Sequence, residues 1–325
     1  MPEEKKVKYA DKMIVSIIVA YNGIQWYEQC FSSLLNSTIP NEIIVVDNAS
    51  NDDTVKFIKE KYPEIELIVN DENLGFAKAN NIGIEYALRK GADFIFLLNQ
   101  DAWVEKDTLN TLVEVFLSVP DAGIVSPIHL NGSNTGLDLG FVDYISRYNT
   151  PDFISDLFIG KLNSWYKTDF VNAAAWLLSR KCIEKVGGFD TSLFYHYGED
   201  DNYCQRVCYH NIGIYISTVA KIYHDREVRM RGYENFEKQR LLASRPVKIR
   251  LANILEDDIK IDSEISALKN RYKLRIIFNL VMFRFDKIKK LKKDIQDDIK
   301  LFAIIKISRK ANKLGNMIWL NEIVH

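Results

Sequence analysis

The residues of this chain that could do chemistry stand at the ends of apolar runs. Phe94 to Leu98 is five apolar residues in succession, and it stops on Asn99, Gln100 and Asp101. A run this short and this continuous reads as a strand buried on both faces, as in a parallel sheet. In an open parallel sheet the ligand lies beyond the carboxyl ends of the strands, so Asn99 and Asp101 project into the crevice. Asp101 has no Lys or Arg beside it, which suits it to holding a divalent cation against a phosphate. Two other runs end in the same way, Ile14 to Ala20 on Tyr21-Asn22-Gly23 and Glu42 to Asp47 on Asn48-Ala49-Ser50. Right-handed crossovers place the three ends on one edge. Any one of them alone is an ordinary turn; three at one rim mark a binding site.

Further along, Glu199, Asp200 and Asp201 open a helix that runs to about His210. Acids in a first helical turn are stabilised by the helix dipole by a few tenths to about 1 kcal/mol, which accounts for one or two of them. Lys221-Ile222-Tyr223-His224 closes a strand, and a lone His at such a place is more often a hydrogen-bonding residue than a ligand. Arg226, Arg229 and Arg231 follow, placed to close over phosphates. Trp176 lies in the apolar run Phe170 to Arg180, where it either fills core or stacks on a ligand ring. Cys204 and Cys208 are four apart and near His210, but the chain has no C-x-x-C pair. They read as buried thiols of a reducing compartment.

The elements that must position these groups alternate. A helix carrying Trp26, Cys30, Phe31 and Leu34 follows the first strand, and a helix through Val55, Ile58 and Tyr62 follows the second, with Asp52-Asp53-Thr54 as its cap. Ile65 to Val69 is a short strand, Ala77 to Leu88 a helix, and Phe94 to Leu98 the fourth strand. About a hundred residues of βα units give a doubly wound half-sheet. Val104 to Val119 reads as a helix, Gly123 to Pro127 as a strand, and Asn131 to Asp152 as an acceptor-side, mobile loop too long for a mere connector. Phe170 to Arg180 is a strand at the crevice, its three alanines leaving room for a ligand.

Composition narrows the classes. The 325 residues are 47% hydrophobic, ample for one large α/β domain with an appendage or for two domains. No run of about 18 apolar residues occurs and the first eleven residues are charged, so neither a transmembrane helix nor secretion is expected and the protein should be cytosolic. No G-x-G-x-x-G follows the first strand and no G-x-x-x-x-G-K-[ST] occurs, which disfavours a dehydrogenase or a P-loop nucleoside triphosphatase. The formal net charge of -1 hides a split: residues 269–313 hold fifteen Lys or Arg against four Asp, and residues 1–268 hold twenty-eight against thirty-nine acids. A basic tail without a nucleic-acid-binding motif, on an acidic body, speaks against nucleic acid.

Five ordered motifs together resemble the inverting nucleotide-sugar glycosyltransferases of family 2, with the GT-A fold and bacterial rhamnosyltransferase-like members in particular. They are Val15 to Gly23 (VSIIVAYNG), Ile43 to Thr54 (IIVVDNASNDDT), Asn73 to Gly83 (NLGFAKANNIG), Leu97 to Asp101 (LNQD within it), and Gly187-Gly188-Phe189-Asp190 followed by Glu199-Asp200. The resemblance spans about residues 14–226. It implies a GT-A domain over 1–232, with a nucleotide-sugar half at about 12–102 and an acceptor half at about 103–232, and a helical extension over 233–325.

The resemblance also implies roles. Asp47 would accept a hydrogen bond from the imide N–H of uracil or thymine, with Ala20 and Tyr21 lining the base pocket beside Asn22 and Asn48. Asn73, Gly75, Lys78 and Asn80 would lie under the nucleotide and donor sugar, next to Asn99. Asp101 would be the last carboxylate of the family's D-x-D signature, bound to Mg²⁺ or Mn²⁺ on the diphosphate; the triplet here is Asn99-Gln100-Asp101, with one acid, so other ligands would come from phosphate and water. His224 would reach the same metal or diphosphate. Asp200 would be the general base that activates an acceptor hydroxyl, Glu199 would orient acceptor or base, and Asp201 and Trp176 would sit on the acceptor side. The implied reaction moves a sugar from a UDP- or dTDP-sugar to a hydroxyl of a surface polysaccharide or lipid-linked oligosaccharide. The alternatives are a nucleotide-sugar-binding scaffold without turnover, suggested by Asn99, and a nucleotidyltransferase on a related sheet, which would need a glycine-rich basic loop near the first strand that is not there.

From about Tyr233 the pattern becomes helical. Ile288, Leu291, Ile295, Ile299 and Phe302 recur at helical spacing while Lys289, Lys290, Lys292 and Lys293 fall mostly elsewhere, and Arg271 to Phe278 has similar character. Such an amphipathic basic helix packs on its own domain, docks peripherally on the anionic inner face of a membrane, or makes a homodimer contact.

Overall fold

A computed structural model describes residues 11–146, 148–225 and 245–320. Four short runs of β-branched and aromatic residues form strands β1 (Ile14–Ala20), β2 (Glu42–Asp47), β3 (Glu66–Val69) and β4 (Phe94–Asn99), all parallel in the order β3-β2-β1-β4. Helices α1 (Ile24–Leu35), α2 (Thr54–Lys61) and α3 (Gly75–Lys90) make the crossovers. Alternate residues of one strand enter opposite core layers: Ile17 packs with Ala79 and Ile84 of α3, while Ile18 packs with Tyr27 and Phe31 of α1. That two-sided burial is why these strands read as unbroken apolar runs. The pairing sets Ala20 opposite Asp47 and Val19 opposite Asn99, so the three polar tips stand side by side as the sequence predicts.

The second half of the sheet is mixed. β5 (Ala102–Val104) precedes α4 (Thr108–Ser118), and β6 (Ala122–Asn131) leads through α5 (Leu139–Val142) and α6 (Phe153–Phe158) to β7 (Trp165–Thr168) and β8 (Ala175–Ser179). Helices α7 (Arg180–Val186) and α8 (Glu199–Tyr209) then lead to β9 (Gly213–His224). β8 pairs antiparallel with both β4 and β6, β9 runs parallel to β6, and β5 and β7 pair antiparallel with β9. The sequence placed the start of α4 at Val104; residues 102–104 are instead drawn into a strand by β9. The predicted strand Phe170 to Arg180 is likewise ordered as a strand only over Ala175–Ser179.

Beyond the sheet, a helical segment at 245–252 is followed by a hairpin of α9 (Asp258–Val281) and α10 (Phe285–Leu314). At about 1.5 Å per residue these helices are roughly 36 and 45 Å long. The hairpin is fixed at its base. Ile261, Ile265, Phe302 and Ile305 pack with Leu193, Phe194, Leu251 and Ala252, and the Arg309 guanidinium donates to the carbonyls of Leu251, Asn253 and Glu256 and to Asp258. Buried Asp190 accepts from Ser192 with one oxygen and from Ser308 and Asn312 with the other, at 2.5 and 3.0 Å for the last two. The chain then returns to the body: Gly188 N–H donates to the Ile318 carbonyl at 2.9 Å, and a Cβ on Gly187 would stand 2.2 Å from that oxygen. The Gly-Gly-Phe-Asp motif therefore clamps the C-terminal segment as well as ending α7. Ile288, Leu291 and Phe302 of the expected amphipathic stripe are buried and only Ile299 is open. Among the described residues no helix is long and apolar enough to cross a membrane.

Candidate active site

The carboxyl ends of β1, β4 and β9 and the start of α8 surround one cavity of about 820 Å³, within the range of sites that take cofactor-sized ligands. On its nucleotide-half rim the polar tips are locked to each other. The Gln100 side-chain amide acts as a peptide group, accepting from Tyr21 N–H at 2.8 Å and donating to the Tyr21 carbonyl at 3.1 Å. Asn48 donates to Asn73 Oδ1 at 2.9 Å and accepts from Leu74 N–H at 2.8 Å. Asn22 holds a left-handed backbone, φ 48°, and its Oδ1 accepts from Asn51 N–H at 2.9 Å. Asp47 is buried beneath this rim; its Oδ2 accepts from Ser50 N–H at 3.1 Å, and its Oδ1 has no hydrogen-bond partner among the described residues.

At the bottom of the cavity the sheet changes direction. β4 ends at Asn99, Gln100 turns, and Asp101 precedes β5, whose Ala102 pairs with His224. Asp101 Oδ1 thereby comes 3.3 Å from His224 Nε2, with both side chains almost wholly buried. Asn99 Nδ2 approaches the same nitrogen at 3.4 Å. The other ring nitrogen, Nδ1, lies 3.4 Å from Asp138 Oδ2. Asp138 is brought there by the turn after β6, where its N–H donates to the His129 carbonyl at 2.9 Å, and its Oδ1 caps α5 by accepting from Phe141 N–H at 3.0 Å. A carboxylate behind a histidine fixes the tautomer and ring plane of a metal-binding imidazole.

A carboxylate oxygen and an imidazole nitrogen together are a donor set that a divalent cation can take. An oxygen and a nitrogen 3.3 Å apart match two neighbouring ligands of one ion bound at about 2.0–2.2 Å. Among the described residues no group of three or more His, Cys, Asp or Glu is arranged to hold a metal. Two protein donors with the remainder from a diphosphate and water is the pattern of ions that are bound together with their phosphate ligand.

Across the cavity stands the start of α8. The approach is contorted, with Tyr197 at φ 69° and Gly198 at φ 97°, and non-glycine residues in this region are held only where the surroundings over-determine them. Glu199 is buried with its Oε2 unpartnered among the described residues. Burial first, and then the adjacent Asp200 charge, hold its carboxyl well above the usual carboxylate range. Burial and then the Asp201 charge raise Asp200 as well. Asp201 is paired with Arg245 at 2.9 Å and turned away from the cavity. Three acids so close do not all ionise together. Of the two, Asp200 is the less strongly raised, and neighbouring carboxyls whose environments push their proton affinities apart are the pattern of an acid–base pair.

The two rims are stitched together at Gly75. Its φ is 79°, and a Cβ there would lie 2.3 Å from the Tyr195 carbonyl; Tyr195 hydroxyl donates to the Asn73 carbonyl at 2.7 Å. The glycine of the Asn-Leu-Gly motif is thus a point of close approach between the α3 start and the loop leading to α8.

Of the residues singled out in the sequence, Tyr21, Asn22, Asn48, Asn73, Gly75, Asn99, Asp101, Glu199, Asp200 and His224 line this one cavity. Others do not. Trp176 is fully buried within β8, its ring 6.1 Å from Phe189 and 5.7 Å from Tyr203, so it is core and stacks on no ligand; the cavity is lined instead by Asn172, Ala173 and Ala174, which precede the strand. Helical rotation turns Lys78 outward to solvent and Asn80 inward, where it donates to the Phe76 carbonyl. Ala20 is buried, and its contribution is the carbonyl that accepts from Asn48 N–H. Arg226, Arg229 and Arg231 lie outside the described residues. Cys204 and Cys208 donate to the carbonyls of Val171 and Asp169, and burial pushes both thiols up, as inert thiols should be.

Sequence reasoning missed four contributors. Trp26, taken for a core residue, lines the cavity and donates its Nε1–H to Asp225 at 2.9 Å. Gln100 and Asp138 act through tertiary contacts that no spacing announces. Tyr144, in the long loop after β6, also lines the cavity.

The sequence profile described as glycosyl transferase family 2 matches residues 16–187. The dTDP-rhamnosyl transferase RfbF of Shigella flexneri is 27% identical over 196 residues, 58% of this chain and 62% of that protein. The low-salt glycan biosynthesis hexosyltransferase Agl10 of Haloferax volcanii is 24% identical over 220 residues, covering 67% and 69%. This chain therefore spans about two thirds of the length of these relatives. Among solved structures, S. aureus TarS 1–349 in complex with UDP superposes with a TM-score of 0.51 at 15% identity, over 76% of this chain and 66% of that one. GalNAc-T7 with UDP, GalNAc and Mn²⁺ gives 0.52 at 16% identity, over 67% and 44%. The fold is GT-A, with helices appended at the C-terminus.

Proposed function

The chain belongs to glycosyl transferase family 2, and from that premise we propose that it is an inverting glycosyltransferase taking a UDP- or dTDP-sugar as donor. The observation that carries the reading is the opposition, across one cavity, of a buried Asp101–His224 pair and the raised carboxyls of Glu199 and Asp200. Asp47 Oδ1 accepts the imide N–H of the pyrimidine, which gives its missing partner, and Tyr21 flanks the ring. Asp101 and His224 would hold Mg²⁺ or Mn²⁺, whose charge would offset that building on a departing diphosphate. Asp138 holds the His224 ring in register for that task. Asp200 takes the proton of an acceptor hydroxyl as it attacks the anomeric carbon, and a base on the side opposite the leaving group gives inversion. Protonated Glu199 donates to the acceptor or to Asp200.

The acceptor is a hydroxyl of a surface polysaccharide or lipid-linked oligosaccharide, met on the cytoplasmic side with the chain held peripherally at the membrane. In domain terms, residues 1–232 form the transferase, its nucleotide-sugar half at about 12–102 and its acceptor half at about 103–232, and 233–325 form the extension. Support for the donor class comes from the UDP in the TarS and GalNAc-T7 structures and from the dTDP-rhamnosyl transferase relative. A thermal-shift screen over UDP-glucose, UDP-galactose, UDP-N-acetylglucosamine and dTDP-rhamnose, with and without Mn²⁺, followed by assay of nucleoside diphosphate release, tests it. At least one donor should stabilise the protein and be turned over. Stabilisation without release from any donor, even with candidate acceptors, would favour a scaffold, and no stabilisation at all would remove the nucleotide-sugar reading.

A further inference from the structure

The hairpin of α9 and α10 is packed at its base and bare at its tip. Around the turn, Leu274, Ile277, Phe278, Val281, Phe283 and Phe285 are all more than half exposed, Phe283 reaching 80%. Singly exposed apolar residues are ordinary, but a contiguous set with three phenylalanines at the end of a projecting element marks a contact surface. The turn itself is well made: Phe283 N–H donates to the Leu280 carbonyl at 3.1 Å and Arg284 N–H to that of Asn279 at 2.9 Å. Yet the residue in the left-handed position, φ 53°, is Phe283, where glycine or asparagine is the usual occupant of a helix end. A bulky apolar side chain is kept where local energetics would remove it.

The surroundings of the tip have one sign. Residues 269–293 contain ten Lys or Arg and a single Asp. Arg271, Lys273, Arg275, Arg284, Lys287 and Lys289 are exposed along both helices just behind the apolar cap. An apolar end with a basic collar is complementary to an anionic bilayer surface, where the cap enters the headgroup–acyl boundary and the collar meets lipid phosphates. Self-association through the tip would bring two such collars together, which like charge opposes.

We propose that the tip of this hairpin, centred on Phe283, docks the chain on an anionic lipid bilayer. The surface differs from the one the sequence indicated: the stripe of α10 through Ile288, Leu291 and Phe302 is spent on packing, and the turn carries the contact. The inference deepens the peripheral placement proposed above and rests on that reading alone, not on the chemistry of the cavity.

Full-length protein is centrifuged with vesicles of phosphatidylcholine alone and of phosphatidylcholine with phosphatidylglycerol. It should sediment with the anionic vesicles, stay in solution with the neutral ones, and be released as salt rises. Val281→Ser, Phe283→Ser and Phe285→Ser combined should lower partitioning by about tenfold or more, with the circular dichroism spectrum and donor turnover in solution unchanged. Lys287→Glu, Lys289→Glu and Lys292→Glu combined should abolish the preference for anionic lipid. Wild-type protein remaining in solution with both vesicle types, or serine variants that bind as well as wild type, would overturn the proposal. So would a sedimentation-velocity dimer that the serine substitutions split, since the tip would then be a self-contact. Turnover without vesicle binding would sink this inference and leave the glycosyltransferase reading intact; vesicle binding without turnover would do the reverse.

Discussion

The two rims of the cavity are built on opposite electrostatic plans. The rim at the tips of β1, β2 and β4 is a set of neutral amides, Asn22, Asn48, Asn73 and Gln100, bonded to each other or to the neighbouring backbone, with one carboxylate oxygen on Asp47 unpartnered among the described residues. The rim at the start of α8 crowds three acids in succession, buries one of them without a partner, and balances them with the single cation Arg245 among the described residues that face them. Neutral, mutually satisfied groups hold shape and recognise a ligand by its own donors and acceptors. Crowded, partly desolvated acids hold raised proton affinity, which is what proton transfer near neutrality requires. On the proposed reading, recognition and chemistry are divided between the rims, and the division can be attacked from either side.

The strongest test is on the acid rim. Asp200→Asn should lower transfer by about 10² to 10⁴, the usual contribution of a positioned base, while the donor still binds by calorimetry; a variant retaining most of its turnover would end the assignment. In wild type the base must be ionised, so transfer should climb as pH rises through the elevated Asp200 value of about 6 and then level off, as read from a pH–rate profile. Next comes the histidine between the rims. Asp138→Asn keeps the α5 cap acceptor but removes the charge behind His224, and Mn²⁺ affinity measured by titration calorimetry with UDP present should fall by about 10- to 100-fold. Rescue is not expected from Asp138→Ala, which loses the cap as well.

On the amide rim the loss should be smaller and confined to binding. Asp47→Ala should weaken UDP or dTDP affinity by about 1 to 3 kcal/mol, the cost of a buried donor left unpaired, and unchanged affinity would take Asp47 out of the base pocket. The smallest effect is on the fold. Because burial raises the Glu199 carboxyl, the native state binds its proton more tightly than the unfolded chain does. That contribution is whole below the unfolded value and is lost as pH climbs through the raised one. Glu199→Gln should therefore flatten the fall in Tm between mildly acid and mildly alkaline pH, each kcal/mol appearing as about 2 to 4 °C.

How legible each rim was follows from the same contrast. Strands β1, β2 and β4 are buried on both faces, so composition alone marks them, and parallel pairing fixes where Asp47, Asn99 and Asp101 must meet. The acid rim has no such periodic signal. Glu199 and Asp200 look like ordinary first-turn acids, and the resemblance to a known family is what singled them out. Trp176 illustrates the limit from the other direction: an aromatic in a strand has two faces open to it, and only the neighbours Phe189 and Tyr203 decide which. Asp138 reaches His224 through a turn eight residues long whose course no local pattern sets. The C-terminal hairpin was legible as helices, but the face of α10 that packs and the turn that stays bare depend on where Asp190 and Arg309 anchor its base.

The contact of Gly75 with the Tyr195 carbonyl has a practical corollary for engineering. Chimaeras that trade the acceptor portion of one relative for that of another cut the chain between these two residues, and any side chain at position 75 would wedge the graft open by more than an ångström. Exchanges that carry Asn73, Gly75 and Tyr195 from a single parent should close properly, whatever sugar that parent prefers.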